Sequence, residues 1–439
     1  MKQELKLFLK GILVMLLLAM KSLPCNAIGA YGAVDFNRLT NRNGLSNSQV
    51  NAIFKDQMGY VWFGTQSGLD RFDGFRMKAF LYDDGNPNSI PNNSVDEIQQ
   101  AINGSLWIHT SVGYCIYQYD KERFDRKPEE WLKTIGVDGP PYKLLIDSKK
   151  NMWMSVYGQG IYFVDVKNMT AFLFPFSKTK SRSSLPEYQV SCIREDNGQA
   201  VVTFDNGVIC RLDGYAQQVV WMDRFILNNR LSTDHTVFTF VDSKNNYWVN
   251  TNLGIYVYHK NLKKWFAGAK GYLATFGFDV PAYPGRKVII RDMARDKQGH
   301  MWIATDHNGL IYLDYAKKIC RQFMYNPNDK GSISDNSLPK VYVDENNALW
   351  VGTYKNGVNY YSASSTKFYT IPLGDVCTIT QDLNGNLWCG TNDAGIVVYN
   401  PATGQSSRFY GAKTGLGSEV VVSSTTMKDG TLYFGTFNG

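Results

Sequence analysis

Residues 50–74, VNAIFKDQMGYVWFGTQSGLDRFDG, contain the pattern from which the fold class can be predicted. It begins with a mostly apolar segment that ends in Asp56, followed by a tight turn with Gly59. An aromatic segment centred on Trp62 comes next, and a short loop ending in Gly68 leads into another apolar segment. Short apolar segments separated by Asp and Gly are typical of antiparallel strands joined by hairpins. The stretch therefore predicts three successive β-strands.

The same pattern recurs along almost the whole chain. Its most regular part is an apolar strand around an aromatic residue, often followed by Gly-Thr, and one degenerate copy has valine at its centre. The copies are about 46 residues apart, which is enough for four short antiparallel strands and is typical of propeller blades. The centres of the nine copies are Trp62, Trp107, Trp153, Val201, Trp248, Trp302, Trp350, Trp388 and Tyr433.

This repeat predicts an all-β protein, a β-propeller of four-stranded antiparallel blades with long, irregular loops between them. Seven units are expected to complete one ring over residues 28–370. The last two units are expected to begin a second, truncated propeller over residues 371–439. The segment from Phe36 to Leu39 is expected to supply the outer strand of a closing blade, and the sequence leaves open which ring it closes.

An acidic residue precedes the centre of most units by six positions. Because Asp before a turn to Gly commonly binds its own backbone, these acids are interpreted as turn-forming residues. A tryptophan repeated once per blade is expected to fill the space between adjacent sheets, whose two faces are both buried. Both sets are therefore interpreted as structural. The acids are Asp56, Asp147, Glu195, Asp242, Asp296, Asp344 and Asp382.

Residues 1–27 have the features of a secretory signal peptide. Three lysines precede an apolar run from Gly11 to Met20, and Cys25–Ala27 offers small residues for cleavage. The alternative is an uncleaved anchor, although the apolar run is too short for a comfortable membrane span. The rest of the chain is therefore expected outside the cytoplasm, in the periplasm.

Net charge and cysteine spacing bear on two further properties, nucleic-acid binding and disulfide formation. The net charge is +7, of which three charges lie in residues 1–27, and no basic run supports nucleic-acid binding. The six later cysteines have no CxxC motif, so disulfides are permitted by the compartment but not required. Cys389 stands where other units have valine, isoleucine or phenylalanine, so it is expected to be a small core residue. No cofactor or metal is expected.

The phrase GLSNS at residues 44–48, followed by V-x-x-I-x-x-D-x-x-G-x-x-W-F-G-T-x-x-G-L-x-x-F-D-G, resembles the two-component-regulator propeller repeat. The resemblance covers nearly everything after residue 34. It implies the periplasmic sensor region of a Bacteroides-type hybrid two-component histidine kinase, with two seven-bladed propellers before the membrane. It also implies detection of glycan fragments, control of polysaccharide-utilisation genes and a homodimeric receptor. The chain contains no kinase signature, so it looks like an N-terminal fragment of such a receptor and is not expected to be an enzyme itself.

Strand order predicts where a ligand binds. In an up-and-down blade, the loop between the second and third strands emerges beside the loop that joins neighbouring blades, and we call their common side the loop face. Amides and carboxylates there can pair with sugar hydroxyls, and aromatic rings can stack on a sugar, although Asn, Asp and Ser are also favoured by turns as such. The candidate contacts are Tyr157, Asp205, Trp221, Asn252, Asp306, His307, Tyr354 and Asn392.

Two other functions stay open. A glycosidase or lyase would need two facing acids, for which Asp205 and Asp306 are the candidates. Catalysis is otherwise poorly supported, because the five histidines show no zinc-ligand spacing and the chain has no Gly-x-Ser-x-Gly motif. The third possibility is a structural or protein-docking propeller. Incubation with oligosaccharides separates the three, since an enzyme cleaves, a sensor binds without turnover and a docking module does neither.

Overall fold

The computed structural model describes residues 34–438, except for residues 180, 235, 280–287, 363–370, 372, 402 and 410–414. The predicted signal peptide at residues 1–27 therefore lies outside the described residues. Contacts along the chain define two compact units, Asp35–Ser365 and Thr366–Gly439. The predicted domain boundary at residue 370 falls at the edge of a segment outside the described residues, and it stays a prediction.

The first unit begins with β1 (Asn37–Leu39) and a 3-10 turn at Asn41–Asn43, and its sheets are seven four-stranded antiparallel blades. Blade one contains β2 (Val50–Lys55), β3 (Val61–Thr65), β4 (Gly68–Phe72) and β5 (Met77–Phe80). Blade two contains β6 (Val95–Gln100), β7 (Leu106–Thr110), β8 (Gly113–Gln118) and β9 (Arg123–Asp125). Blade three contains β10 (Pro141–Ile146), β11 (Met152–Val156), β12 (Gly160–Asp165) and β13 (Thr170–Pro175).

The remaining blades follow in chain order. Blade four contains β14 (Val190–Asp196), β15 (Gln199–Phe204), β16 (Ile209–Asp213) and β17 (Gln218–Asp223). Blade five contains β18 (Phe238–Val241), β19 (Tyr247–Thr251), β20 (Gly254–His259) and β21 (Lys264–Ala267). Blade six contains β22 (Ile289–Arg295), β23 (Met301–Asp306), β24 (Leu310–Asp314) and β25 (Ile319–Phe323). Blade seven contains β26 (Lys340–Val343), β27 (Leu349–Gly352) and β28 (Val358–Tyr361), together with β1.

The second unit contains two further sheets, and their being the start of a second propeller stays a prediction. A four-stranded sheet contains β29 (Val376–Gln381), β30 (Leu387–Thr391), β31 (Ile396–Tyr399) and β32 (Ser406–Phe409). A two-stranded sheet contains β33 (Val421–Thr426) and β34 (Leu432–Thr436). All nine predicted unit centres lie on the second strand of their sheet, which confirms the repeat and the propeller fold.

Blade seven closes the ring with the N-terminal segment. β1 pairs antiparallel with β28, so that Leu39 lies opposite Val358 and β1 becomes the outermost strand of the blade. On the inner side, the Val50 amide donates to the Thr353 carbonyl at 3.0 Å and joins blade one to blade seven. The prediction that Phe36–Leu39 supplies a closing strand is confirmed, and the strand belongs to the first ring.

The hydrophobic core is divided into layers between adjacent blades. Trp62 is fully buried and packs with Ile98 and Ile108 of blade two. At the ring closure, the rings of Trp350 and Phe63 lie 6.0 Å apart in the layer between blades seven and one. The tryptophans are therefore structural, as predicted, because each blade buries both of its faces against its neighbours.

Three short helices correct the prediction that the inter-blade loops are irregular. Hydrophobic periodicity does not reveal helices of four to seven residues, because so few turns give no repeat to recognise. Each helix buries an apolar side chain between two blades, namely Leu132, Ile226 and Leu273. None of the helices in the described residues is long and apolar enough to cross a membrane. The helices are α1 (Pro128–Thr134), α2 (Phe225–Asn228) and α3 (Ala269–Ala274).

The repeated acids shape the turns, as predicted, and they also hold the tryptophans. In blade one, Asp56 Oδ1 accepts the backbone amides of Met58 and Tyr60, both at 2.9 Å. Its second oxygen, Oδ2, accepts the indole N–H of Trp62 at 2.6 Å, a contact that the sequence analysis missed. The same indole-to-carboxylate hydrogen bond is made by Trp153, Trp248, Trp350 and Trp388.

Glu195 is the exception, and its predicted role in a turn is wrong. The hairpin of blade four has only two turn residues, Asn197 and Gly198, with φ of 53° and 79°. Positive φ at both positions is the geometry of a tight type I′ hairpin, which needs no acid to close it. Glu195 instead lies within β14, where its carboxylate accepts the backbone amide of Ser148 in blade three at 2.7 Å.

Candidate ligand-binding face

Backbone hydrogen bonds place the two predicted sets of loops on one side of the propeller. In five units, the first residue after the second strand donates its amide to the carbonyl that precedes the first strand. The loop between strands two and three is thereby fixed beside the inter-blade loop, which confirms the loop face. The pairs are Gln66 to Gln49, Ser111 to Ser94, Asp205 to Gln189, Asn392 to Asp375 and Phe437 to Val420. In blade seven, the second residue after β27, Tyr354, donates to the Ser337 carbonyl of the inter-blade loop.

A cleft of about 910 Å³ opens on the loop face where blades six and seven meet, and we call it the blade six–seven cleft. Its volume is in the range of small-molecule binding sites. It brings together three of the predicted contacts, Asp306, His307 and Tyr354. The full lining is Arg38, Thr40, Arg291, Asp306, His307, Tyr325, Ser334, Asp335, Asn336, Ser337, Tyr354, Lys355 and Asn356.

Asp306 is the electrostatic centre of the cleft. Its Oδ2 lies 2.6 Å from Arg291 Nη2, and its Oδ1 lies 2.8 Å from Nδ1 of His307. The Asp306 side chain is 13% exposed, whereas that of His307 is 80% exposed. Partial burial favours the neutral carboxyl, but the hydrogen bond and charge of Arg291 outweigh it and lower the pKa of Asp306. Asp306 is therefore an ionised hydrogen-bond acceptor at neutral pH.

Asp335 also lines the cleft, and the sequence analysis missed it. Its Oδ1 accepts the backbone amide of Ser337 at 3.0 Å, while its Oδ2 is buried without a hydrogen-bond partner among the described residues. A buried carboxylate oxygen is costly to leave unpaired, so it is suited to accept a hydrogen bond from a ligand. The sequence feature that could have identified Asp335 is its position in the long inter-blade loop before β26.

Tyr157 and Asp205 lie elsewhere on the loop face, on blades three and four. The Tyr157 ring is 64% exposed and stacks on the ring of Tyr142, with centroids 4.0 Å apart and an interplanar angle of 20°. Asp205 directly follows β15 and does not line the blade six–seven cleft. The two acids considered for catalysis, Asp205 and Asp306, are therefore not brought together in this cleft.

Two predicted amides are engaged in local hydrogen bonds. Asn252 clamps the inter-blade loop, since its Oδ1 accepts the amide of Thr233 at 3.1 Å and its Nδ2 donates to the Thr233 hydroxyl at 2.6 Å. Asn392 belongs to the second unit, where its Nδ2 donates to Asp375 at 3.3 Å. Both side chains therefore stabilise a loop through local hydrogen bonds, as Asn side chains commonly do in turns.

Trp221 was predicted to lie in a loop, and that placement is wrong. It lies in β17, opposite Arg211, and its ring stacks on Tyr258 with centroids 5.1 Å apart. The same interblade layer contains Val201, the unit centre without an aromatic ring. Trp221 therefore fills a layer that has no indole from the second strand, and it is not among the residues of the blade six–seven cleft.

The chemistry of the described residues offers few reactive groups. Their six cysteines are free thiols, and Cys389 is 1% exposed in the core of the second unit, as predicted. Burial raises the pKa of the Cys210 thiol to about 12, which keeps it neutral and unreactive. No group of three or more His, Cys, Asp or Glu side chains in the described part could hold a metal ion.

Comparison with known proteins agrees with this architecture. The extracellular domain of a hybrid two component system from B. thetaiotaomicron shares 23% identity and superimposes with a TM-score of 0.66, over 92% of this chain and 52% of that domain. A second extracellular domain from the same organism shares 17% identity with a TM-score of 0.54, again over 92% and 52%. These likenesses establish the propeller fold.

Comparison of the amino-acid sequence with known proteins identifies a related kinase and a matching repeat model. Histidine kinase P4 from Formosa agariphila is 26% identical over 357 residues, which is 74% of this chain and 24% of the kinase. The chain thus spans about a quarter of that relative and about half of the two solved domains. The family model described as two component regulator propeller matches residues 44–67 and 284–307. The resemblance read from residues 44–74 is confirmed: the chain is a β-propeller, and two of its segments match the two component regulator propeller model.

Proposed function

We propose that this chain is the ligand-sensing part of an extracytoplasmic receptor of the hybrid two-component type, and that it binds a glycan fragment on the loop face. The repeat family and the similarity to extracellular domains of such systems support the sensor part of the proposal. In this proposal the chain lies in the periplasm and controls polysaccharide-utilisation genes through a kinase that its own residues do not provide.

The observation that carries the glycan proposal is the chemistry of the blade six–seven cleft. Asp306 and the unpartnered Oδ2 of Asp335 can accept hydrogen bonds from sugar hydroxyls. Lys355, an exposed residue on the rim, can donate to them. Tyr325 is 45% exposed and Tyr354 is half-buried, so both can offer a ring face to a sugar. Convergent acceptors and rings around one cavity are the usual features of a small-ligand site.

The cleft favours binding over hydrolysis, although Asp306 and Asp335 form a pair of carboxyl groups in it. A glycosidase needs one carboxyl whose pKa is raised so that it can protonate the leaving group. Arg291 has the opposite effect on Asp306 and lowers its pKa. We therefore propose a receptor site, and we keep the glycosidase as the second candidate because both acids line the same cleft.

Calorimetric titration with panels of plant and host oligosaccharides tests the proposal. We expect at least one of them to bind with micromolar affinity, about 8 kcal/mol, without being cleaved. Tyr354→Ala and Asp306→Asn should each weaken binding about tenfold, since each removes one ring or one charged acceptor. Val112→Ala is the matched control, because Val112 is an exposed loop-face residue of blade two, 66% accessible, and lies outside the cleft.

The outcomes separate the candidate functions. Binding that survives Tyr354→Ala and Asp306→Asn in the same molecule would exclude this cleft as the site, and Tyr157→Ala would then test the stacked pair on blade three. Release of shorter saccharides would replace the receptor with the glycosidase. If the complete extracellular region neither binds nor cleaves any member of the panels, the docking propeller becomes the better explanation.

The receptor is proposed to work as a homodimer whose two copies change their arrangement when ligand binds. The reason is energetic, because a ligand can only bias a signalling equilibrium by binding one arrangement better than the other. Small-angle scattering of the complete extracellular region, with and without the oligosaccharide found above, measures this directly. Identical scattering profiles at saturating ligand would rule out a change in arrangement.

A further inference from the structure

The central channel of the first ring forms a second cavity, and its lining is rich in charged side chains. The first strands of all seven blades line it, from β2 to β26, and they enclose about 480 Å³. Five cationic and three acidic side chains line this space, so its net charge is positive. A positive, enclosed channel concentrates anions because the surrounding protein focuses the field.

The acidic side chains of the channel already have partners. Asp96 lies 2.6 Å from His109, and Asp292 lies 2.8 Å from Lys340. Glu97 accepts hydrogen bonds from Gln99 at 2.8 Å and from the Tyr114 hydroxyl at 2.7 Å. None of these carboxylates forms an ion pair with Arg194 or Lys143. Burial disfavours the charged guanidinium of Arg194, but nearby charges, among them those of Asp292 and Glu97, raise its pKa.

Three cations of the channel form no ion pair with a described carboxylate: Arg194, Lys143 and Lys150, of which Lys150 donates to the Gln100 carbonyl at 3.3 Å. Arg194 and Lys143 are the two considered further. Neither forms an ion pair with any described residue, and both side chains are half-buried in the channel. Among the described residues, Arg194 has one hydrogen bond, from Nη1 to the Ile193 carbonyl at 3.1 Å, and its guanidinium lies 5.6 Å from the centre of the Phe240 ring. A guanidinium has five N–H donors, so the described residues use only a small part of the hydrogen-bonding capacity of Arg194.

Burying a guanidinium is costly, and no described carboxylate lies within ion-pair distance of Arg194 to offset that cost directly. A bound anion would relieve that cost, and the planar fork of arginine fits two oxygens of one carboxylate or sulfate group. Lys143 adds a second positive charge on the neighbouring inner strand, β10. The space is large enough for a group of monosaccharide size rather than only a bare ion.

We propose that the central channel is an anion-binding site, in which Arg194 and Lys143 hold the carboxylate or sulfate group of a small ligand. The group can belong to a free inorganic ion or to an acidic sugar, because the recognised chemistry is the same. Arg291 lines both cavities, but Arg194 and Lys143 do not line the blade six–seven cleft. The proposal therefore goes beyond the proposed function and does not depend on it.

Calorimetric titration of the purified chain with sodium sulfate, sodium glucuronate and glucose tests the site, with sodium chloride added to equal ionic strength. We expect saturable binding of sulfate or glucuronate and none of glucose. Arg194→Gln and Lys143→Gln should each weaken binding at least about tenfold, because each removes a charge-assisted hydrogen bond. Arg194→Lys should lie between Arg194→Gln and the parent, since it keeps the charge and loses the fork.

Lys133→Gln is the matched control, because Lys133 is an exposed cation on α1 that does not line the channel. Binding of glucuronate alone would identify an acidic sugar as the source, and binding of sulfate alone would identify a free ion. The proposal is overturned if neither anion binds better than chloride, or if Lys143→Gln binds as tightly as the parent. If Arg194→Gln does not fold, Lys143→Gln alone still tests whether the channel binds an anion.

Discussion

The indole of the second strand and the acid six positions before it act as one unit. A buried indole N–H needs an acceptor, and the acid that closes the turn supplies one within the same blade. In blade six the acid has a different side-chain partner, since Asp296 Oδ2 lies 2.8 Å from Nδ1 of His300. The sequence spacing predicted the turn, whereas the second use of each carboxylate became visible only with the side chains in place.

Trp350→Ala is expected to destabilise the ring by about 3–5 kcal/mol, because it removes a large ring from the layer between blades seven and one. It also removes the indole donor, whose Nε1 lies 3.2 Å from Asp344 Oδ2. Denaturant unfolding of the variant and the parent measures the difference. Val201→Ala is the control at the equivalent position of blade four and should cost less, since fewer buried atoms are lost. Equal stability of Trp350→Ala and the parent would contradict the interblade role.

The hydrogen bonds to the Asp382 carboxylate predict that the second unit loses stability at acidic pH. Hydrogen bonds from Trp388 and Asn386 lower the pKa of the Asp382 carboxyl from 3.8 to about 2. A carboxyl with a lowered folded-state pKa stabilises the fold above its unfolded pKa, and this stabilisation is lost as the pH falls through the folded value. We therefore expect backbone amides of the second unit to exchange faster with solvent between about pH 4 and pH 2, after correction for intrinsic rates.

Hydrogen exchange measured by mass spectrometry at pH 4, 3 and 2 checks this expectation. Asp382→Asn should remove most of the pH dependence, because the substituted side chain does not titrate in that window. Asp120→Asn is the control, since Asp120 is an exposed acid of the first unit. An unchanged pH dependence in Asp382→Asn would show that another group is responsible.

At the scale of the strands, the Gly of the repeated Gly-Thr pair lets neighbouring blades approach. A Cβ atom at Gly64 would lie 2.7 Å from Val95 of blade two, and one at Gly352 would lie 2.5 Å from the Val50 carbonyl oxygen of blade one. Both distances are too short for non-bonded atoms, so a side chain would force the blades apart. The junction that closes the ring is thus packed as tightly as a junction between consecutive blades.

The closing strand is predicted to contribute several kcal/mol to the stability of the first unit. A chain that starts at residue 41 lacks β1 and the buried side chains of Phe36 and Leu39, which are 4% and 6% exposed. Loss of two such apolar side chains should cost about 3–6 kcal/mol, and β28 would keep an unpaired edge. The matched control starts at residue 28. If the two chains unfold at the same denaturant concentration, β1 does not close the ring in solution.

At the scale of the whole molecule, the ring brings together segments that are far apart in the chain. The blade six–seven cleft combines Arg38 and Thr40 with the loops after β23 and β27, because ring closure places the N-terminal segment on blade seven. Stability and the candidate site therefore depend on the same closure. The central channel depends on it as well, since its lining comes from the first strand of every blade.

The blades could be predicted from the amino-acid sequence alone, because each one is specified by a local pattern of strand, turn and aromatic residue that recurs about every 46 residues. That Asp306, His307 and Tyr354 share a face could be predicted as well, since strand direction alternates along the chain. The positions of Asp335 in the cleft, of Trp221 between blades and of Glu195 within a strand could not be predicted in this way. They depend on which side chains meet across neighbouring blades, and such long-range contacts produce no periodic pattern in the sequence.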